Sequence, residues 1–191
     1  MKKLIRIVLL LVAVLLIVIT TRPAQYHVER STTIAAPAAL IQSHVEDFHQ
    51  WKAWSPWEHL DPAMKTEFSG APSGVGAVYY WSGNDKAGEG RMTIVESVPA
   101  SKVGIKLEFL KPFKSTNSCA FALSPQGEGT QVVWSMDGNN DLMGKAASLF
   151  MSMDKVIGKD FEQGLANLKQ VTEAHAAAAP ATNDSTAAST P

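Results

Sequence analysis

An unbroken run of apolar residues from Ile7 to Ile19 is the feature that most constrains how this chain can fold. With its flanks the run covers residues 4–21, in which Arg6 is the only charge. A stretch of about 18 residues is at the low end of what spans a hydrocarbon core as a helix. Arg6 lies near one end, where its long side chain can extend to the membrane surface. The run therefore predicts a single N-terminal transmembrane helix.

A cleaved signal peptide is the competing interpretation, because a basic start and an apolar stretch also mark secretion signals. No small-x-small cleavage site follows the run, since Arg22 and Pro23 stand where small residues are needed. We therefore favour an uncleaved anchor over residues 1–22. Because the basic residues before the run outnumber the one after it, the N-terminus is expected to stay cytoplasmic. The rest of the chain would lie on the far side of that membrane, in the periplasm if the source is Gram-negative.

The charge after the anchor disfavours one class of partner. The first 22 residues hold four of the 17 Lys and Arg and none of the 18 Asp and Glu, so the remainder has a net charge near −5. Contacts with phosphates need clustered Lys and Arg, so nucleic acid is not an expected partner. The single cysteine, Cys119, allows no intrachain disulfide. Cys119 and Phe121 lie on the same face of a strand-like segment, so we expect Cys119 to be a small, buried, apolar side chain.

Seven short segments after the anchor show the alternation of apolar and polar residues that is typical of strands. Turn-forming residues separate them, which predicts an antiparallel meander. A short helix over 38–48 and an aromatic helical turn over 51–62 are predicted after the first strand. The predicted strands are 26–34, 65–68, 77–82, 90–98, 103–110, 117–123 and 131–137.

The apolar period changes at the end of the domain. Residues from Ala146 to Leu168 recur at steps of three and four, which predicts one long amphipathic helix. Gly158 and Gly164 weaken a helix, and a close approach of the helix to the sheet would explain them. The chain is thus expected to comprise a transmembrane anchor over 1–22, a domain over 23–172 and a disordered Ala/Ser/Thr/Pro-rich tail over 173–191.

Several motifs of the domain occur together in one known superfamily. They are VERSTTI over 28–34 followed by Ala36-Pro37, FHQWKAWSPW over 48–57 followed by Asp61-Pro62, and GVGA over 74–77. With them, residues 26–171 resemble the SRPBCC superfamily, also called START-like, Bet v 1-like or polyketide cyclase/dehydrase-like. The resemblance implies an α+β helix-grip fold: a curved antiparallel sheet of about seven strands around a long C-terminal helix, with a hydrophobic cavity between them. It does not imply one activity, because members include lipid carriers, hormone receptors and cyclases.

Large apolar side chains are the candidates for the wall of that cavity. Trp54 and Trp57 could form its aromatic lip or fill the core beneath a loop. Tyr79, Tyr80 and Trp81 are consecutive, so alternate side chains face opposite ways, and the sequence leaves open which set faces inward. The predicted ligand-binding residues are Trp54, Trp57, Tyr80, Trp81, Met92, Leu107, Phe109, Phe121, Trp134, Met136, Phe150 and Met153.

The sequence predicts no catalytic residue, no metal site and no cofactor. Its histidines lack a compact metal-binding spacing, and no Gly-x-Ser-x-Gly motif is present. The favoured hypothesis is a non-catalytic binding or carrier module for a small hydrophobic ligand, lipid-like or polyketide-like, tethered to a membrane through residues 4–21. One alternative is a cyclase- or aromatase-like enzyme, which requires at least two cavity groups with shifted pKa values. The other is an interaction module, whose cavity would fall well below about 300 Å³.

Overall fold

The computed structural model describes residues 1–178, and its first element is an apolar helix. Helix α1 runs over Lys2–Thr20. Its mean hydropathy is 2.8, and it is the one helix among the described residues that is long and apolar enough to cross a membrane. Its side chains are exposed except for Ile19, next to the domain. A membrane span and a secretion signal share these properties, so α1 fits both interpretations of the sequence.

The domain is built on one seven-stranded antiparallel sheet. Its order is β1-β7-β6-β5-β4-β3-β2, so strands β2 to β7 form a meander and β1 closes beside β7. The predicted antiparallel sheet is thus confirmed. The strands are β1 Gln25–Ile34, β2 Lys65–Gly70, β3 Ala77–Ser82, β4 Glu89–Val98, β5 Lys102–Lys111, β6 Ser115–Gln126 and β7 Gly129–Asn139.

Three short helices connect β1 to β2, and the first of them contacts β5, β6 and the C-terminal helix. Helix α2 spans Ala38–Glu46, and 3₁₀ helices span Phe48–Ala53 and Pro56–His59. Asp47 begins the first 3₁₀ helix, where its side chain accepts a hydrogen bond from the backbone N–H of His49. The indole of Trp51 donates to the carbonyl oxygen of Val45 at 2.9 Å, which fixes this aromatic segment against α2.

The C-terminal helix differs from its prediction at both ends. Instead of one continuous helix from Ala146, a short helix α3 over Leu142–Ala147 is separated by a break from α4, which spans Met153–Ala178. Asp141 caps α3 by accepting a hydrogen bond from the N–H of Gly144 at 2.7 Å. Residues 173–178, predicted to belong to the disordered tail, are helical. The rest of that predicted tail, 179–191, lies outside the described residues.

The long helix lies across the inner face of the sheet, as the helix-grip prediction required. A Cβ atom at Gly164 would lie 2.7 Å from the indole of Trp134, so glycine there allows the close approach of α4 to β7. Arg30 of β1 contacts the N-terminal part of α4, with ion pairs of 2.8 Å to Asp154 and 2.7 Å to Glu162. The buried members of the core cluster lie between residues 28 and 168. Helix α1 contributes none of them, and the core is therefore complete without the anchor.

Candidate functional site

A cavity of about 220 Å³ lies between the sheet and α4. Side chains from five strands, β3 to β7, form its floor, while α4 and the 3₁₀ segments form its roof. The cavity is partly open, and its rim includes the exposed side chains of Leu60 and Lys86. Most of the wall is apolar, as expected for a site that binds apolar molecules.

Cross-strand neighbours on the inner face form the floor. Tyr79 lies opposite Met92, which in turn lies opposite Leu107. In the adjacent row, Ile105 pairs with Cys119, and Cys119 pairs with Met136. Because side chains alternate along a strand, directly paired residues face the same side of a sheet. The register therefore brings these side chains together in one wall.

One end of the floor is aromatic and depends on a glycine. The indole of Trp81 lies over Gly90, where any Cβ atom would overlap the ring. Phe109 packs edge-on against Trp81, with ring centroids 5.9 Å apart. Burial of Tyr79 and Trp81 settles the question that the sequence left open: these two face inward, and Tyr80 faces the opposite side of the sheet.

The roof is held to the floor by stacked aromatic rings. Trp134 of β7 stacks on Phe161 of α4, with centroids 4.1 Å apart and planes inclined by 6°. Trp57 packs edge-on against both rings, at 5.5 Å from Trp134 and 6.2 Å from Phe161. Its indole N–H donates to Oδ2 of Asp160 at 3.3 Å. The second 3₁₀ helix, the sheet and α4 therefore meet at one aromatic contact beside the cavity.

Two titratable groups in the wall are held in their neutral forms. The Tyr79 hydroxyl donates to Oε1 of Glu58 at 2.6 Å, and burial together with this carboxylate raises the pKa of Tyr79 well above its usual range. Burial raises the pKa of the Cys119 thiol to about 12, with a further contribution from Asp137. A thiol in this environment is a poor nucleophile. The floor thus presents neutral groups to anything bound.

The size of the cavity limits what it can hold. Its volume of about 220 Å³ lies below the roughly 300 Å³ at which drug-sized pockets begin. It exceeds the roughly 150 Å³ of an engineered apolar cavity that takes up benzene. The cavity as it stands therefore suits a one- or two-ring molecule or a short acyl chain, and a larger molecule would require α4 to move or part of the ligand to remain outside.

Seven of the predicted ligand-binding residues lie together in the cavity wall. They come from the 3₁₀ segment and from β3, β4, β5 and β7, and they share the inward phase of their strands. These residues are Trp57, Trp81, Met92, Leu107, Phe109, Trp134 and Met136.

The other five predicted residues do not line the cavity. Trp54 and Phe121 are fully buried in the core, where the Trp54 indole donates to the carbonyl oxygen of His44 at 3.2 Å. Tyr80 lies on the outer face, because it alternates with Tyr79 and Trp81. Phe150 is 89% exposed, since it lies in the break between α3 and α4. Met153 packs against the core outside the cavity wall.

Sequence reasoning missed three wall residues that carry much of the geometry. Tyr79 shares the inward phase of Trp81, but the sequence could not fix which phase was inward. Phe161 lies on the apolar stripe of α4, and only the helix–sheet contact turns it into part of a binding wall. Glu58 lies in a 3₁₀ helix with no apolar period, so no pattern indicated that it would meet Tyr79.

A second cavity, also of about 220 Å³, lies between α2 and α4. There Nε2 of the buried His44 lies 3.2 Å from Nδ1 of His175. Nδ1 of His44 has no hydrogen-bond partner within residues 1–178. Burial and the neighbouring His175 lower the pKa of His44, while Asp47 opposes them. In the described part of the chain, no group of three or more His, Cys, Asp or Glu is placed to hold a metal ion.

Comparisons with known proteins give a family and a fold. The model of the family described as "Polyketide cyclase / dehydrase and lipid transport" matches residues 25–173. No curated protein sequence matches the chain.

Three solved structures illustrate the fold. An uncharacterised protein from Rhizobium leguminosarum has a TM-score of 0.58 and 13% identity, over 78% of this chain and 95% of its own. The di-domain ARO/CYC protein StfQ of the steffimycin biosynthetic pathway has a TM-score of 0.58 and 11% identity, over 81% of this chain and 53% of its own. Ara h 8.0201 has a TM-score of 0.50 and 15% identity, over 81% of this chain and 99% of its own. At such low identity, these neighbours establish the fold alone.

Proposed function

The chain belongs to the polyketide cyclase/dehydrase and lipid transport family, and from this premise we propose that it is a membrane-anchored carrier or binding module for a small hydrophobic molecule. The ligand would lie between the sheet and α4. The observation that carries the proposal is the cavity of about 220 Å³, whose floor consists of apolar side chains together with the neutral side chains of Tyr79 and Cys119. The floor favours apolar groups, because a charged group placed against it would lose its hydration without gaining a partner there.

The rim indicates how such a ligand would be oriented. The charged lining residues are Glu58 and Asp160 of the roof and the exposed Lys86 of the rim, whereas the floor is formed by side chains such as Ile105, Met92 and Leu107. Polar groups at the entrance can bind the polar end of a molecule whose apolar part lies inside. We therefore propose a ligand with a ring or a short chain at one end and a polar group at the other, lipid-like or polyketide-like in character.

The N-terminal helix α1 determines where in the cell the domain would bind its ligand. We propose that α1 stays attached and spans the membrane, with its N-terminus cytoplasmic and the domain on the far side, which is the periplasm in a Gram-negative cell. Protease added to spheroplasts should then degrade the domain and spare an N-terminal tag. Degradation of the tag alone, or release of the domain without α1, would contradict this part of the proposal.

Purified residues 23–191 allow a direct test of ligand binding, because the core is complete without α1. We expect organic extraction followed by mass spectrometry to recover a small amphipathic molecule in a stoichiometric amount. We also expect saturable uptake of the two-ring fluorophore 1-naphthylamine, whose size matches the cavity, by the extracted protein. Failure of both measurements would contradict the carrier function.

A cyclase- or aromatase-like enzyme is the second candidate, and the pairing of Glu58 with Tyr79 is what favours it. A carboxylate beside a phenol at a cavity can move a proton to and from a bound carbonyl compound. The test is incubation with the N-acetylcysteamine thioester of a tetraketide, in which aldol closure of a six-membered ring between C2 and C7, followed by loss of water, is measured by mass. Turnover that Glu58→Gln abolishes while 1-naphthylamine still binds would support the enzyme. Unchanged thioester with the wild-type protein would contradict it.

A further inference from the structure

The antiparallel register gathers several connections at the end of the sheet where α1 joins the domain. Gln25 at the start of β1 pairs with Asn139 at the end of β7. Along the other strands, Phe109 pairs with Ser115 and Ser82 pairs with Glu89 at this same end. We call this region the anchor end. It comprises residues 21–24, the β3–β4 hairpin over 83–88, the β5–β6 turn over 112–114 and the α3 segment over 140–152.

The anchor end carries large apolar side chains that are exposed to solvent. Phe150 is 89% exposed, Phe113 74% and Met143 67%, and Leu142 and Met151 are also exposed. Apolar side chains concentrated in one region of a surface mark sites that meet another apolar phase. Some partner is therefore expected to cover the anchor end.

The position of α1 identifies that partner as a lipid bilayer. Helix α3 contacts α1, and Nζ of Lys145 lies 3.5 Å from the carbonyl oxygen of Thr20, the last residue of α1. If residues 4–21 cross the hydrocarbon core, Thr20 lies at the membrane surface. The exposed residues of α3 are then within a side chain's length of the same surface.

The charges of the anchor end suit anionic lipids. The anchor end contains four basic residues, Arg22, Lys86, Lys114 and Lys145, against two acidic ones, Asp85 and Asp141, and Lys114 directly follows Phe113. Asp141, the acid nearest to α3, is already engaged as its cap. Basic residues flanking apolar ones are the pattern with which proteins bind anionic phospholipid surfaces.

The mouth of the ligand cavity opens at this end as well. Lys86 and Ala87 of the β3–β4 hairpin lie in the cavity wall, and so does Ile157, one turn into α4. We propose that the anchor end is a membrane-docking surface, which rests on an anionic bilayer through Phe113, Phe150 and the residues of α3 and holds the cavity mouth against the lipid. This inference rests on the proposed anchor. It adds a route for the ligand, because an apolar molecule could pass between the bilayer and the cavity without crossing water.

The full chain in vesicles of phosphatidylethanolamine and phosphatidylglycerol provides the test. The only native cysteine, Cys119, is buried with a pKa raised to about 12, so a cysteine added at the surface can be labelled selectively. We would place the fluorophore NBD on Phe150→Cys, on Phe113→Cys and, as a control, on Val98→Cys. Val98 is an exposed apolar residue at the opposite end of the sheet. All three substitutions are at exposed positions and leave the core unchanged.

We expect NBD at 150 and at 113 to emit at shorter wavelength and to be quenched by spin-labelled lipid, while NBD at 98 behaves as it does in water. The double variant Lys114→Glu/Lys145→Glu should reduce the quenching at 150 in anionic vesicles and leave it unchanged in phosphatidylcholine vesicles. Equal quenching at 150, 113 and 98 in a chain that floats with the vesicles would overturn the docking surface and leave the anchor intact. A chain that does not float with the vesicles would overturn the anchor, and the docking inference with it.

Discussion

The indole of Trp134 and the ring of Phe161 lie almost parallel, with centroids 4.1 Å apart, across the boundary between β7 and α4. Both side chains are buried, and both line the cavity between the sheet and α4. The same contact therefore closes the fold and shapes the site. Changes at this boundary are expected to affect stability and ligand binding together.

Phe161→Ala should strongly destabilise residues 23–191. Removing a buried aromatic side chain usually costs about 3–5 kcal/mol, because apolar burial is lost and a cavity remains. Phe150→Ala is the matched control, since Phe150 is 89% exposed and its truncation should change stability by less than about 0.5 kcal/mol. Urea denaturation followed by tryptophan fluorescence measures both values. Similar losses for the two variants would contradict the packing described for α4.

Gly164→Ala should destabilise the protein even though alanine is the better helix former. In an open helix, this change would add about 0.5–1 kcal/mol of stability. Here the new Cβ atom would lie 2.7 Å from the Trp134 indole and 3.2 Å from Cδ of Pro56, and such overpacking typically costs about 1–3 kcal/mol. Gln170→Ala, at an exposed position of α4, is the control and should be neutral or stabilising. A higher melting temperature for Gly164→Ala would show that helix and sheet are further apart.

The buried His44 should make stability decrease in acid. Its pKa in the folded protein is below the ordinary value of 6.5, so as the pH falls below that value the unfolded chain takes up more protons than the folded one. The contribution of His44 is therefore fully present above about pH 6.5 and is lost as the pH falls through its lowered pKa. His27 has a raised pKa, so its contribution acts in the opposite sense and is lost as the pH rises.

Urea midpoints of residues 23–191 between pH 7.5 and pH 5 measure this effect. We expect His44→Gln to show a smaller loss of stability over this interval than the wild type, whatever its absolute stability. Parallel pH profiles for the two proteins would contradict a lowered pKa of the buried His44.

Periodicity accounts for how much of the fold could be predicted. The alternation along β3 to β7 and the apolar steps along α4 each follow from a repeating geometry, so both elements were predicted without any knowledge of their partners. The need for glycine at position 164 could also be anticipated, because glycine destabilises a helix and its presence there indicates a close contact with the sheet. The break before Met153 could not, since Leu149 and Phe150 continue the apolar pattern although they lie outside both helices.

The cavity wall was predicted only in part, because its membership depends on distances between elements. Met92 and Leu107 share the inward phase of their strands, and phase alone was enough to assign them. Phe121 has the same phase, yet it lies deeper in the core beneath Trp54. The pairing of Glu58 with Tyr79 joins a 3₁₀ helix to a strand 21 residues further along the chain, and no local pattern specifies it.

The measurement that tests the account most directly is a titration of residues 23–191 with the two-ring fluorophore 1-naphthylamine, comparing the wild type with Met92→Trp and Val95→Trp. Both substitutions are in β4, but Met92 lines the cavity and Val95 is exposed. An indole at position 92 is larger than the Met side chain and would project into the cavity, so it should weaken binding by about tenfold or more, which is about 1.4 kcal/mol. Val95→Trp should bind like the wild type. Equal affinity of all three proteins would place the probe elsewhere and contradict a ligand cavity between sheet and helix.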